Sequence, residues 1–197
     1  MKVPNTEHTS RPWRIHELTR DFRLEDVWAL DTPGGPDDLP RLVQQFVSGG
    51  DGSDETCGPQ VLWAIRWKVG EVLGWDDPRH GAGAGAPTLR DRLPADLREA
   101  GHGPDLDGFL FRPLYLLRDE WAGELANRTV HAVMHLGWVP DGDGRHHGQM
   151  AVLVRPNGVL GQGYMVAIKP FRHLFIYPSL LRQIESGWAA ASAAPRP

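Results

Sequence analysis

The amino-acid sequence predicts an α+β domain in which a long C-terminal helix lies over an antiparallel sheet, and three stretches carry that prediction. Thr129 to Val139 alternates side-chain character over enough positions for a long strand. Gly148 to Val154 reads as a second strand, joined to the first across Asp141 to Arg145, where AspGly occurs twice and favours a hairpin turn. The aromatic-rich block Gly161 to Ile184 follows. Helical projection gathers Leu160, Tyr164, Ile168, Phe171, Leu174, Phe175 and Leu181 on one side, with Lys169 and Arg172 away from it. Pro170 and Pro178 each remove a backbone donor, so this helix either kinks twice or begins its regular part at Pro170. A kinked helix over a sheet leaves room beneath it for a pocket.

Length and composition bound the rest. The 197 residues, 41% of them apolar, suit a single core. The chain is read as one domain over residues 1–188, with a disordered tail from Ala189 to Pro197 that is small and proline-containing. Eight Trp, six Phe and three Tyr suit a thick core or an aromatic-lined cavity. A net charge of -4 lacks the basic excess that phosphate neutralisation needs, so no nucleic-acid partner is expected. Cys57 is the single cysteine, which excludes an internal disulfide and fits a cytoplasmic protein. Met1 to Arg14 has no apolar signal region, and no stretch is apolar for the ~18 residues a membrane span needs.

From the N-terminus, Trp13 to Leu18 alternates weakly and is expected to be an edge strand. Leu24 to Leu30 and Pro36 to Val47 read as two additional N-terminal helices flanking the turn Thr32 to Gly35, with Asp37 and Asp38 placed to favour the second helix dipole. Ser48 to Gly58 is a loop. Gln60 to Leu73 is a clear helix, because Leu62, Ile65, Val69, Val72 and Leu73 share one face; Trp63 and Trp67 stand outside that stripe. The GlyAla repeat within His80 to Pro87 is a linker or lid, not a phosphate cradle, since no strand precedes it and no Lys-Ser/Thr follows. Phe111 to Leu117 is a strand. Asp119 can then cap a short helix in which Trp121 and Leu125 lie one turn apart.

On the long strand, Val130, Ala132, Met134, Leu136 and Trp138 share one face, and Thr129, His131, Val133, His135 and Gly137 the other. The apolar face fits a core or lipophilic pocket. His131 and His135 could be a general acid/base pair in a cavity, since imidazole titrates near neutral pH, or could face solvent or a partner. They are the candidate catalytic residues. Residues four apart on a strand lie ~13 Å apart and cannot share an ion unaided, so no metal site is expected from them. His146 and His147 occupy a polar turn with side chains pointing apart. No GlyXaaSerXaaGly elbow is present, and Cys57 has no local activating pattern.

The run Leu62 to Arg66, the run Asn127 to His131, Pro156 to Gly158, Gly163 to Met165, Ile168, Pro170 to His173 and Tyr177–Pro178 together resemble the bacterial family called domain of unknown function 2867 (DUF2867). The resemblance covers about Arg11 to Ile184. It implies a helix-grip fold of the START and polyketide-cyclase (SRPBCC) type, an antiparallel sheet around a long C-terminal helix with an apolar ligand cavity between them. In some relatives the module follows a reductase-like NAD domain; no GlyXaaGlyXaaXaaGly opens this chain, so the resemblance implies no such cofactor here. It carries over no catalytic residue. A full helix-grip sheet has more than the four strands read above, which leaves residues 76–110 to supply others or the sheet reduced.

The expected function is binding of a small lipophilic molecule between sheet and C-terminal helix, with Tyr115, Met134, Trp138, Met150, Tyr164 and Ile168 as wall residues and no cofactor. Two alternatives stand beside it. One is a cofactor-independent cyclase, dehydratase or hydrolase in which His131 or His135 moves a proton. The other is an interaction module, including a homodimer, formed through the histidine-bearing strand face.

Overall fold

A computed structural model describes residues 1–48, 88–103, 111–126, 130–158, 165 and 177–193. Six strands form one sheet: β1 (Lys2–Val3), β2 (Arg23–Ala29), β3 (Arg112–Leu116), β4 (Glu120–Ala126), β5 (Val130–Pro140) and β6 (His146–Pro156). Their order is β1-β2-β6-β5-β4-β3, with every neighbouring pair antiparallel. The last four strands run as a meander, and β2 closes against the final one. Chain leaving β2 therefore re-enters at the far edge and returns strand by strand.

Two layers cover the sheet. On one face lie α3 (Leu39–Ser48) and the C-terminal helix, here α5 (Tyr177–Ala193). Leu39, Leu42, Val43 and Phe46 recur at helical spacing and bury against Trp138, Met150 and their neighbours, together with Tyr177, Leu181, Ile184 and Trp188. Trp188 donates its indole N–H to the Pro33 carbonyl at 3.0 Å, and Arg41 stacks 4.4 Å above its ring. The opposite face is covered by α1 (Thr6–Thr9), α2 (Ile15–Leu18), a 3-10 turn (Leu89–Arg92) and α4 (Ala95–Glu99). Trp13, Ile15, Leu89, Leu93 and Leu97 bury there against Tyr115, Val133 and Leu153.

The two long strands occur as expected, β5 running on to Pro140 and β6 reaching further at both ends, and the hairpin between them turns on Gly142 and Gly144 with φ of 88° and 74°. Helix α3 and strand β3 also match. Four readings are corrected. Trp13 to Leu18 is a helical turn, not a strand. Leu24 to Leu30 is not a helix, since Arg23–Ala29 is a strand; a register shift between Leu24 and Asp26 interrupts the alternation that would have revealed it. Trp121 and Leu125 lie on a strand, because a spacing of four returns to the same face of a strand as well as of a helix. The supposed tail is helical through Ala193. The additional strands are β1, β2 and β4, not anything in residues 88–103, which are helical where they are regular. Expectations for residues 49–58, 60–73 and 80–87, and for the block 161–176 apart from Met165, fall outside the described residues.

Candidate functional site

Each face of the sheet concentrates a different chemistry. The helix-side layer holds Met134, Trp138 and Met150 of the expected wall, all buried. Trp138 is committed to the fold: its indole N–H donates to the Gly35 carbonyl at 2.8 Å and its ring lies 5.8 Å from that of Trp188. Close packing reinforces this, since a Cβ on Gly34 would come within 2.8 Å of the Trp138 ring. Tyr164 and Ile168 lie outside the described residues. Tyr115 belongs to the other face, so it does not line the layer beneath the C-terminal helix.

Sequence reasoning missed Trp121 as part of this layer because it took the residue for helical. Its indole is buried beside Gly123, where an added Cβ would stand 2.7 Å from Cη2, and the ring of Phe46 lies 6.2 Å away. Gly123 is what allows the indole to lie along the strand. The Nε1–H has no hydrogen-bond partner among the described residues. A buried indole N–H left unpaired costs about 1 to 3 kcal/mol, so such a donor normally has a partner.

The opposite face carries the titratable groups. His131 and His135 are buried rather than solvent-facing, which corrects the solvent and interface reading. Each meets a glutamate of β4: His135 Nε2 lies 2.8 Å from Glu120 Oε2, and His131 Nε2 lies 3.0 Å from Glu124 Oε2. The antiparallel register sets both pairs, since His135 stands opposite Ala122 and His131 opposite Ala126. Each glutamate is thus two residues along β4 from the site facing its histidine. Equal spacing of two Glu on one strand and two His on the next was the signal available in the sequence. It is hidden by the spacing of four between Trp121 and Leu125, which fits a helix as well as a strand.

Both glutamates also hold down the covering segments. Glu120 accepts the backbone N–H of Arg14 at 2.7 Å and of Ile15 at 3.4 Å, at the start of α2, and the Tyr115 hydroxyl at 3.2 Å. Glu124 accepts the Leu89 N–H at 2.9 Å, at the start of the 3-10 turn, and the Thr88 hydroxyl. Carboxylates at helical N-termini satisfy donors that lack intrahelical partners. Burial pushes the Glu120 carboxyl up, but the hydrogen bonds from His135, Arg14 and Ile15 outweigh it and hold it below the ordinary carboxylate range. Glu124 is likewise pushed up by burial and held down more strongly by His131, Thr88 and Leu89. Tyr115 is pushed well above the usual phenol range, by burial and then by Glu120, so it stays a hydroxyl donor.

The two pairs differ at their outer ends. His131 Nδ1 faces the Arg155 guanidinium at 3.4 Å, and Arg155 pairs with Asp21. His135 Nδ1 instead meets His8 Nε2 at 3.1 Å, and His8 Nδ1 meets His16 Nε2 at 3.1 Å. Burial, then the neighbouring rings of His135 and His16, push His8 down to about 2, so its ring is neutral across the physiological range. No group of three or more His, Cys, Asp or Glu is arranged to hold a metal ion among the described residues.

A sheet closed by its first long strand against its last, with the C-terminal helix laid across one face, is the helix-grip arrangement of an α+β protein. The model of the family described as "Protein of unknown function (DUF2867)" matches residues 18–179, and the chain belongs to that family. Among solved structures the chain is similar to the di-domain ARO/CYC StfQ from the steffimycin biosynthetic pathway, at 12% identity and a TM-score of 0.35, covering 91% of this chain and 55% of that one. The chain thus spans about half the length of that protein. No curated protein matches it. No helix among the described residues is long and apolar enough to cross a membrane.

Proposed function

We propose that this protein binds a small lipophilic molecule in the layer between the sheet and the C-terminal helix, with the Trp121 indole N–H as its polar contact. The observation that carries the reading is the buried Nε1–H of Trp121, which lacks a partner among the described residues within a layer built mainly from apolar side chains. Ligand sites are mostly apolar concavities with few polar groups that fix orientation, and a lone indole donor in such surroundings suits a carbonyl, ether or hydroxyl oxygen. Met134 faces the same side and pairs in register with Gly123, which makes it the neighbouring wall residue. Trp138, held to Gly35 and Trp188, supports this wall more than it contacts a guest.

The test uses Nile red, an apolar fluorophore carrying a carbonyl acceptor. Saturable binding is expected, and Trp121→Phe, which keeps the aromatic area and removes the donor, should weaken it about tenfold, the equivalent of one hydrogen bond of ~1.4 kcal/mol. Equal affinity in both proteins would remove Trp121 from the site, and absence of saturable binding would overturn the reading. Native mass spectrometry of protein purified from its own host, searching for a retained small molecule, identifies the natural guest.

A further inference from the structure

The glutamate–histidine pair at Glu124 and His131 shows what anchoring a covering segment requires: one carboxylate, one imidazole, and a guanidinium to close the outer nitrogen. The pair at Glu120 and His135 anchors α2 in the same way, yet continues outward through two more imidazoles. His8 is buried, whereas His16 is only partly so. Capping α2 does not require this extension.

The hydrogen-bond directions follow from the carboxylate. Glu120 can only accept while ionised, so His135 Nε2 donates to it. With one proton per ring, His135 Nδ1 then accepts from His8 Nε2–H, and His8 Nδ1 accepts from His16 Nε2–H. The one lone pair left over is on His16 Nδ1, at the outer end. Each link is within hydrogen-bond range, and imidazole can receive a proton on one nitrogen while releasing one from the other.

We propose that His16, His8 and His135 form a directed proton path on this face, with His16 Nδ1 as a general base for a Brønsted acid at the surface and the His135–Glu120 pair as the proton's destination. The step balances without any other reactant. A proton from the acid's O–H bonds to His16 Nδ1, and the electron pair stays on the acid's oxygen. His16 passes its Nε2 proton to His8 Nδ1, and His8 passes its Nε2 proton to His135 Nδ1. The arriving charge is shared between the His135 imidazolium and the Glu120 carboxylate. His8 and His16 end in the opposite tautomer, so the reverse path resets them. The surrounding groups are consistent with this direction: Glu120 and Tyr115 face the inner end, while the guanidinium of Arg14 is engaged by Asp96 and Glu17. The site lies across the sheet from the layer beneath the C-terminal helix and does not depend on ligand binding there.

Nitrogen-15 NMR of histidine-labelled protein, titrated downward from neutral pH, tests the proposal. At neutral pH, His16, His8 and His135 should all carry the proton on Nε2. As a proton is taken up, His8 and His16 should switch together to Nδ1–H, while His131, closed by Arg155, does not switch. In His8→Gln, whose amide can donate and accept but cannot relay, His16 should protonate as an isolated imidazolium and His135 should be unaffected. His16→Gln, at a partly exposed position, provides a second break: His8 and His135 should then keep their neutral-pH tautomers over the same range. The proposal is overturned if wild-type His16 becomes an imidazolium while His8 keeps its Nε2 proton, or if His8 already carries Nδ1–H at neutral pH.

Discussion

His8 Nε2 lies 3.1 Å from His135 Nδ1, so a buried hydrogen bond ties the N-terminal segment to the central strand across 127 residues of sequence. Folded, His8 is held neutral down to about pH 2; unfolded, it binds a proton near 6.5. Between those values the unfolded chain carries the extra proton, so stability rises with pH through this window and levels above it. At pH 5 this one group should have removed about 2 kcal/mol relative to pH 8. Urea denaturation at the two pH values checks it, and His8→Gln should reduce the difference.

Glu120→Ala and Glu124→Ala should each cost about 3 to 5 kcal/mol, because truncation leaves a buried imidazole and one or more backbone N–H groups without an acceptor. Glutamine at either position keeps a carbonyl acceptor and should cost less. Denaturant midpoints of the four variants give the comparison. Equal losses for Ala and Gln would mean that the charge, rather than the accepting oxygen, holds the covering segment.

The end of α5 separates packing from mere helicity. Trp188 is buried, whereas Ala189 to Ser192 are exposed, with Arg41 to the Ser192 hydroxyl at 3.1 Å a surface contact. Ending the chain after Trp188 should therefore change stability by no more than about 0.5 kcal/mol. Removing Trp188 as well should cost about 3 to 5 kcal/mol, since its ring and its bond to Pro33 go together. Melting temperatures of the two truncations decide the point.

Gly123→Ala places a methyl 2.7 Å from Cη2 of Trp121, a separation that side chains do not tolerate, so the indole must move or the strand must shift. The expected result is a loss of about 1 to 3 kcal/mol in stability together with a blue or red displacement of the tryptophan emission. Ala122→Gly, on the neighbouring position but the other face, should leave the emission unchanged. Steady-state fluorescence alongside urea melts provides both readouts.

Strands β5 and β6, the turn at Gly142 and Gly144, helix α3 and the apolar character of the Met134–Trp138 face were all determined by the sequence itself. Each depends on a local cause: period-two alternation along long strands, AspGly turn chemistry, and a helical spacing of Leu39, Leu42, Val43 and Phe46. Tertiary structure alone decided the rest. Trp121 and Leu125 satisfy helix and strand spacing equally, and only pairing with β3 and β5 resolves them as strand. The turn at Ile15 has a carboxylate cap supplied 105 positions away by Glu120. His131 and His135 share a strand face by sequence, but whether water, a partner or the chain's own N-terminal segment covers that face depends on which distant residues supply acceptors for buried donors. Local spacing cannot encode such long-range hydrogen bonding, because its partners become neighbours only when the sheet closes.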